Sequence, residues 1–214
     1  MTEANQVSMP RLNEPAPAFD APTTDGRKTL EDYKGKWLVL FSHPADFTPV
    51  CTTEFIAFAN RHDDFKARNT ELLGLSIDSH YSHIAWMLNI KEKFGVEIKF
   101  PIIADPDMAI SRLYDMIHPG ESTTEAVRSV YIIDPDKKIR LMMTYPMNVG
   151  RNFDEILRVI DALQLADAKK IATPADWTPG GKVIIPLSVS NEQAKEIFPK
   201  GWDTLRPYLR VTEL

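Results

Sequence analysis

The sequence predicts an α/β fold, a thioredoxin-like sandwich around a central mixed sheet with a small proline-rich C-terminal extension, and three observations carry that expectation. Residues 37–41 read WLVLF, five apolar residues without alternation, the pattern of a strand buried on both faces. Phe55, Phe58, Ala59 and Phe65 follow at helical spacing, a core-facing stripe, before strand character returns over 71–78, which makes a βαβ unit. Residues 128–133 and 139–144 are strand-like runs separated by Asp134, Pro135, Asp136, Lys137 and Lys138, a hairpin that closes the sheet antiparallel.

The remaining elements follow in order. Pro10, Pro15 and Pro17 make residues 1–18 an extended lead-in. A second helix fits 80–93, with Ile84, Met87, Leu88 and Lys91 on one face, a short strand fits 100–104, and a brief helix fits 108–116. Asn152 offers an N-cap with Glu155 three residues on, and Phe153, Ile156, Leu157, Ile160 and Leu163 line one face of a last long helix. From about residue 166 the texture changes, with Pro174, Pro179, Pro186, Pro199 and Pro207 and a single strand at 183–185. The expected division is therefore a domain over 1–165 and an extension over 166–214, too small for a core of its own, which packs on the main domain or at a subunit interface with Trp177 and Trp202 as anchors.

Composition narrows the function. Of 214 residues, 43% are hydrophobic and 26% charged, as in an ordinary globular protein, and a net charge of -5 without a dense basic stretch argues against nucleic acid as partner. No window approaches a transmembrane span and no secretory leader is evident, so a cytoplasmic chain is expected. The single cysteine, Cys51, fits a reducing compartment and cannot form an intrachain disulfide. Asp78, His80 and His83 form a D-x-H-x-x-H pattern too sparse for a zinc site, and no metal is expected.

The informative stretch is FTPVC, residues 47–51. Thr48 suits an N-cap and Pro49 the first helical position, which puts Cys51 in the first turn, where unpaired backbone N–H groups favour a thiolate. The loop ahead of it, residues 42–47, leaves the carboxyl end of the first buried strand, where open α/β sheets place their sites. A cysteine can also be a small buried hydrophobe, inert in the core.

Pro44-x-x-x-Thr48-x-x-Cys51 resembles the active-site signature of the peroxiredoxins, and FSHPADFTPVCTTEF resembles the one-cysteine, peroxiredoxin-6-like branch, as do YPMNVGRNFDEILRVIDALQL and ATPADW further on. The resemblance implies a thiol peroxidase for hydrogen peroxide and alkyl hydroperoxides, without cofactor, in which Cys51 is the peroxidatic nucleophile and passes through a sulfenic acid. It implies that Thr48 orients the sulfur and holds the peroxide, that Pro44 covers the thiol, and that Arg128 stabilises the developing charge. Backbone N–H groups at Val50 and Cys51 complete the cradle, and His43 and Arg151 resemble supporting residues of that branch, while Glu54, three residues after Cys51, is on the side of the helix to position an arginine. A homodimer is implied, with a decamer built of dimers as a larger form.

Two departures bound this reading. No resolving cysteine is present, so an external thiol or other reductant must recycle Cys51, unless the Cys51 residues of two subunits pair. Residues 34–38, KGKWL, lack the G-x-S-x-G element of some relatives, and no lipase activity is carried over. The absence of C-x-x-C disfavours a disulfide reductase. Two rivals stay open at the level of sequence: a redox sensor or holdase that reports the state of Cys51 by changing assembly, and a Cys-His hydrolase using His43, for which the sequence shows neither acid partner nor oxyanion hole.

Overall fold

The computed structural model describes residues 9–214. Of the expected lead-in, residues 1–8 lie outside the described residues. The rest of it is anchored: Asn13 N–H donates to the Ile139 carbonyl at 2.7 Å and Ala16 N–H to that of Lys137 at 2.8 Å. Two compact units divide between Phe153 and Asp154.

The first unit is built on a seven-stranded mixed sheet. Its strands are β1 (Asp20–Thr23), β2 (Gly26–Thr29), β3 (Trp37–Ser42), β4 (Thr70–Ser76), β5 (Ile102–Ala104), β6 (Arg128–Ile133) and β7 (Ile139–Tyr145). They lie in the order β2-β1-β5-β4-β3-β6-β7. β3 pairs parallel with β4 and antiparallel with β6, which puts it inside the sheet, and all six of its residues are buried. The period of two sends its side chains to opposite faces. Leu38 and Leu40 join Leu73, Leu75, Ile103, Tyr131 and Ile133 in one core. Phe41 turns to the other face, where its ring stacks on Phe58 at 4.0 Å and meets Phe55 and Phe100 edge-on at 5.6 and 5.7 Å. The β1–β2 hairpin is absent from the sequence reading because its four-residue strands are too short and too polar to show a period.

Helix α1 (Pro49–Asn60) and the short α2 (His62–Lys66) follow β3, and α3 (His80–Phe94) follows β4. Phe55, Phe58 and Phe65 are fully buried and Ala59 half-buried, as their spacing predicts. The Ser79 hydroxyl caps α3 by accepting from Ser82 N–H, and Gly95 ends it in the left-handed region at φ 68°. The face of α3 differs from the expectation. His83, Trp86 and Ile90 are the buried residues, whereas Ile84 and Leu88 are 41% and 62% exposed. Helical spacing fits either stripe, and the inward one contains a histidine whose polar atoms find partners only in the folded chain. Helix α4 (Ala109–Leu113) completes this unit.

The second unit contains most of α5 (Phe153–Lys169), then β8 (Val183–Ile185), α6 (Asn191–Ile197), β9 (Asp203–Arg206) and β10 (Leu209–Thr212). β10 lies between β8 and β9 in a three-stranded antiparallel sheet. This corrects the expectation of one strand and no core. Ile171, Trp177, Val183, Ile185, Val189, Ala194 and Phe198 form a core of their own, with Ala162, Leu165, Ala166 and Trp202 packed against it. α5, read from sequence as part of the first domain, supplies three of those packing residues. β9 is exposed throughout, which leaves no apolar pattern to read.

Phe58 is fully buried between Phe41 and the ring of Phe153, 4.4 Å away. Phe58→Ala is expected to cost about 3–5 kcal/mol in urea unfolding through lost transfer energy and the cavity left behind; a loss below about 1 kcal/mol would mean that the aromatic cluster collapses to fill the gap.

Candidate active site

Cys51 sits in the first turn of α1, after Pro49 and Val50, and is fully buried. Thr48 holds the N-cap position with extended backbone (φ -98°, ψ 150°), but its hydroxyl makes no capping bond. It donates instead to the Ala45 carbonyl at 2.8 Å, which corrects the expectation of a side-chain cap and closes the loop on itself. The residue before it, Phe47, takes φ 57°, a conformation a bulky side chain adopts only under constraint from its surroundings. Pro44 is buried, Thr48 and Val50 are half-buried, and Pro49 is exposed.

Arg128 reaches the sulfur from β6. Its Nη1 lies 3.3 Å from Cys51 Sγ and donates to Glu54 Oε2 at 2.8 Å, while Nε and Nη2 both donate to the Met147 carbonyl, at 2.9 and 2.7 Å. Glu54, one turn beyond Cys51 on α1, is the shared acceptor of two guanidiniums. Arg151 donates to it from Nη2 at 2.7 Å and from Nε and the backbone N–H at 2.9 Å each. Arg151 Nη1 donates to the carbonyls of Ser42 and Ser129, at 2.9 and 3.1 Å, so this side chain ties β3 to β6. Its guanidinium also lies over the rings of Phe41 and Phe58, 5.2 and 5.6 Å from their centroids. Burial pushes the Glu54 carboxyl up, but the charge and hydrogen bonds of Arg151, with the charge of Arg128, outweigh it and hold the group below its ordinary value of 4.5.

His43 leaves the end of β3 and is fully buried, as is His83. Asp46 stands between them: His43 Nε2 lies 2.9 Å from Asp46 Oδ1, and His83 Nδ1 lies 2.8 Å from Oδ2. Burial works against the Asp46 carboxylate, yet the hydrogen bonds from both histidines hold it far below the usual range. Burial pushes His43 down, and its bond to Asp46 only partly offsets this. The acid partner that sequence did not reveal for His43 is thus Asp46, three residues on. The ring of His43 packs on Phe55 and Trp86, at 4.7 and 5.3 Å between centroids, and its Nδ1 is buried without a hydrogen-bond partner among the described residues.

The D-x-H-x-x-H residues do not converge. Asp78 accepts from Asp46 N–H and the Ser76 hydroxyl, His80 stacks on Tyr81, and His83 turns to Asp46. His43, Asp46 and His83 do bring donor atoms within 4.8 Å of one another, and those atoms are engaged in hydrogen bonds to each other. Asp46 could have been suspected from its i+3 spacing to His43; Met147 could not, since it acts through a backbone carbonyl.

A depressed carboxyl contributes stability that is fully present above its unfolded value and is lost as the pH falls through its folded one. Glu54→Gln is therefore expected to be less stable than the wild type at neutral pH, with the difference shrinking as the pH drops below the ordinary 4.5. Denaturant unfolding across that range reads it; a pH-independent difference would show that the Glu54 charge is not what holds the arginines.

Comparison with known proteins accords with this geometry. Residues 12–142 match the model of the AhpC/TSA family, and residues 162–201 match that of the C-terminal domain of 1-Cys peroxiredoxin. A peroxiredoxin of Aquifex aeolicus is 53% identical over 214 residues, covering 95% of this chain and 96% of its own length. The solved structure of a yeast mitochondrial 1-Cys peroxiredoxin superposes with a TM-score of 0.90 at 50% identity, covering 96% of this chain and all of that one. Peroxiredoxin 6 of Arenicola marina, solved as a cysteine-to-serine mutant, gives a TM-score of 0.88 at 43% identity over 95% of this chain and 97% of its own. With its thiol, paired arginines and shared carboxylate mounted on this fold, the chain belongs to the peroxiredoxin family of thiol-dependent peroxidases.

Proposed function

We propose that this peroxidase reduces hydrogen peroxide and small alkyl hydroperoxides through Cys51 alone and is recycled by an external thiol. The observation that carries the reading is the 3.3 Å approach of Arg128 Nη1 to Cys51 Sγ, in a site where Glu54 leaves one of two guanidinium charges unbalanced. The sulfur attacks the terminal peroxide oxygen, the O–O bond breaks, and sulfur gives up two electrons to become a sulfenic acid. The other oxygen leaves as water or an alcohol after taking a proton. Arg128 stabilises the negative charge on that leaving oxygen, the half-buried Thr48 hydroxyl orients the peroxide, Val50 and Cys51 offer backbone N–H groups, and Pro44 shields the sulfur. Glu54 and Arg151 act through Arg128 by fixing its position.

Cys51 is the one cysteine of the chain, so the resolving thiol comes from outside or from a second copy. Thiol resolution in the yeast mitochondrial relative proceeds via glutathione/thioredoxin systems, which supports a low-molecular-weight or protein thiol here. One such thiol condenses with the sulfenic acid and releases water; a second attacks the mixed disulfide and regenerates Cys51. A reducing compartment such as the cytoplasm suits this cycle; among the described residues no helix is long and apolar enough to cross a membrane.

The same reading includes a homodimer, with a ring of dimers as the larger form. β7 pairs with β6 in its sheet and meets the lead-in at Ile139, and among the described residues the rest of that edge is open to a second copy. Phe47, Tyr81 and Leu88 expose more than half of their surface, and Leu187 and Tyr208 do so in the C-terminal unit.

Cys51→Ser is expected to abolish peroxide consumption, and Arg128→Ala to lower its second-order rate constant about 100-fold, measured by stopped flow. Full turnover in Cys51→Ser would refute the mechanism. Sedimentation velocity of the reduced protein is expected to show a species of at least two chains; a monomer at all concentrations would remove the oligomer from the proposal.

A further inference from the structure

His83 faces two hydrogen-bond acceptors. Its Nδ1 lies 2.8 and 3.0 Å from the two carboxylate oxygens of Asp46, and its Nε2 lies 3.2 Å from the Ile103 carbonyl oxygen on β5. A carbonyl can only accept, and an ionised carboxylate can only accept, so each ring nitrogen needs a proton. Asp46 Oδ1 accepts also from His43 Nε2, which puts a proton on that nitrogen; burial favours the neutral ring at His43, so its Nδ1, without a hydrogen-bond partner among the described residues, carries none. The groups facing the pair are His43 and Asp46 from the loop after β3, Asp78 from the end of β4, and the Ile103 carbonyl from β5.

We propose that His83 is a buried imidazolium and a positioning residue for the peroxidatic loop: its two N–H groups clamp Asp46 to β5, and through Asp46 they set the tautomer of His43. Asp46 lies two residues before the Thr48 N-cap, and its own N–H donates to Asp78 Oδ2 at 3.0 Å, which accepts from the Ser76 hydroxyl on β4 at 2.7 Å. The segment that delivers Cys51 is thereby tied to β4 and, through His83, to β5. A neutral ring or an amide in place of His83 presents an acceptor to one of the two acceptors, and the loop gives way at the weaker contact. The hydrogen bonds of His83 go to Asp46 and the Ile103 carbonyl, so it acts through the placement of Asp46, and a misplacement of about 1 Å in such a site costs about 100-fold in rate.

The inference rests on the peroxidase reading for its kinetic arm alone. The first measurement is the side-chain ¹⁵N–¹H correlation spectrum of the reduced, full-length protein at neutral pH. Two protonated nitrogens are expected at His83 and Nε2–H alone at His43. A single N–H at His83 overturns the proposal whether or not the protein turns over peroxide. The second measurement is His83→Gln, expected to lose about 10- to 100-fold in the rate constant with peroxide and to shift His43 into mixed tautomers. A folded variant with wild-type rate and an unchanged His43 overturns the positioning role, and if that variant does not fold, the wild-type spectrum decides. A wild type with no peroxidase activity strikes the functional reading and leaves the proton count legible.

Discussion

One buried carboxylate organises the site. Glu54 accepts from Arg128 and from Arg151 in a place that excludes water, and neither guanidinium would be tolerated there without it. Isolated buried charge is among the most costly features a protein can carry, and removing one partner of such a cluster strands the others. Here nearly every donor is used: Arg128 also holds the Met147 carbonyl, and Arg151 holds those of Ser42 and Ser129. Two cations against one anion leave a positive excess beside the Cys51 sulfur. The chemistry of the thiol and the stability of the cluster are therefore one electrostatic arrangement.

That arrangement needs elements from four places in the chain. β3 delivers the loop with His43 and Pro44, α1 carries Cys51 and Glu54 one turn apart, β6 presents Arg128, and the segment after β7 returns Arg151. The antiparallel pairing of β6 against β3 is what sets Arg128 beside the first turn of α1, and Arg151 locks the two strands at that end through their carbonyls. A second buried polar cluster, His43–Asp46–His83, fixes the loop from the other side. The first turn of α1 thus lies between two networks whose polar groups are hydrogen-bonded almost throughout, and among the described residues His43 Nδ1 is the atom left without a partner.

The fold was legible where burial imposes a simple period. β3 announced itself because a strand covered on both faces must be continuously apolar, and α1 because its phenylalanines recur at helical spacing. The inward face of α3 was not legible: His83 looks polar in sequence and is buried because Asp46 and Ile103 meet both its nitrogens. The C-terminal unit escapes for a related reason, since short strands with exposed residues, such as β9, carry no apolar period, and the core of Val183, Trp177 and Phe198 joins residues spread along the sequence.

The sequence by itself determined the lone thiol at the start of a helix, the loop ahead of it, and the family-like spacing of Pro44, Thr48 and Cys51. These are local facts, because a helix start and a motif depend on neighbouring residues. Only the tertiary structure decided that Glu54 and Arg151 complete the thiol's surroundings, that Met147 contributes a backbone carbonyl, and that Asp46 sits between two histidines. Those partners lie up to 97 positions apart, and no local pattern records a hydrogen bond formed when distant strands and helices are brought together.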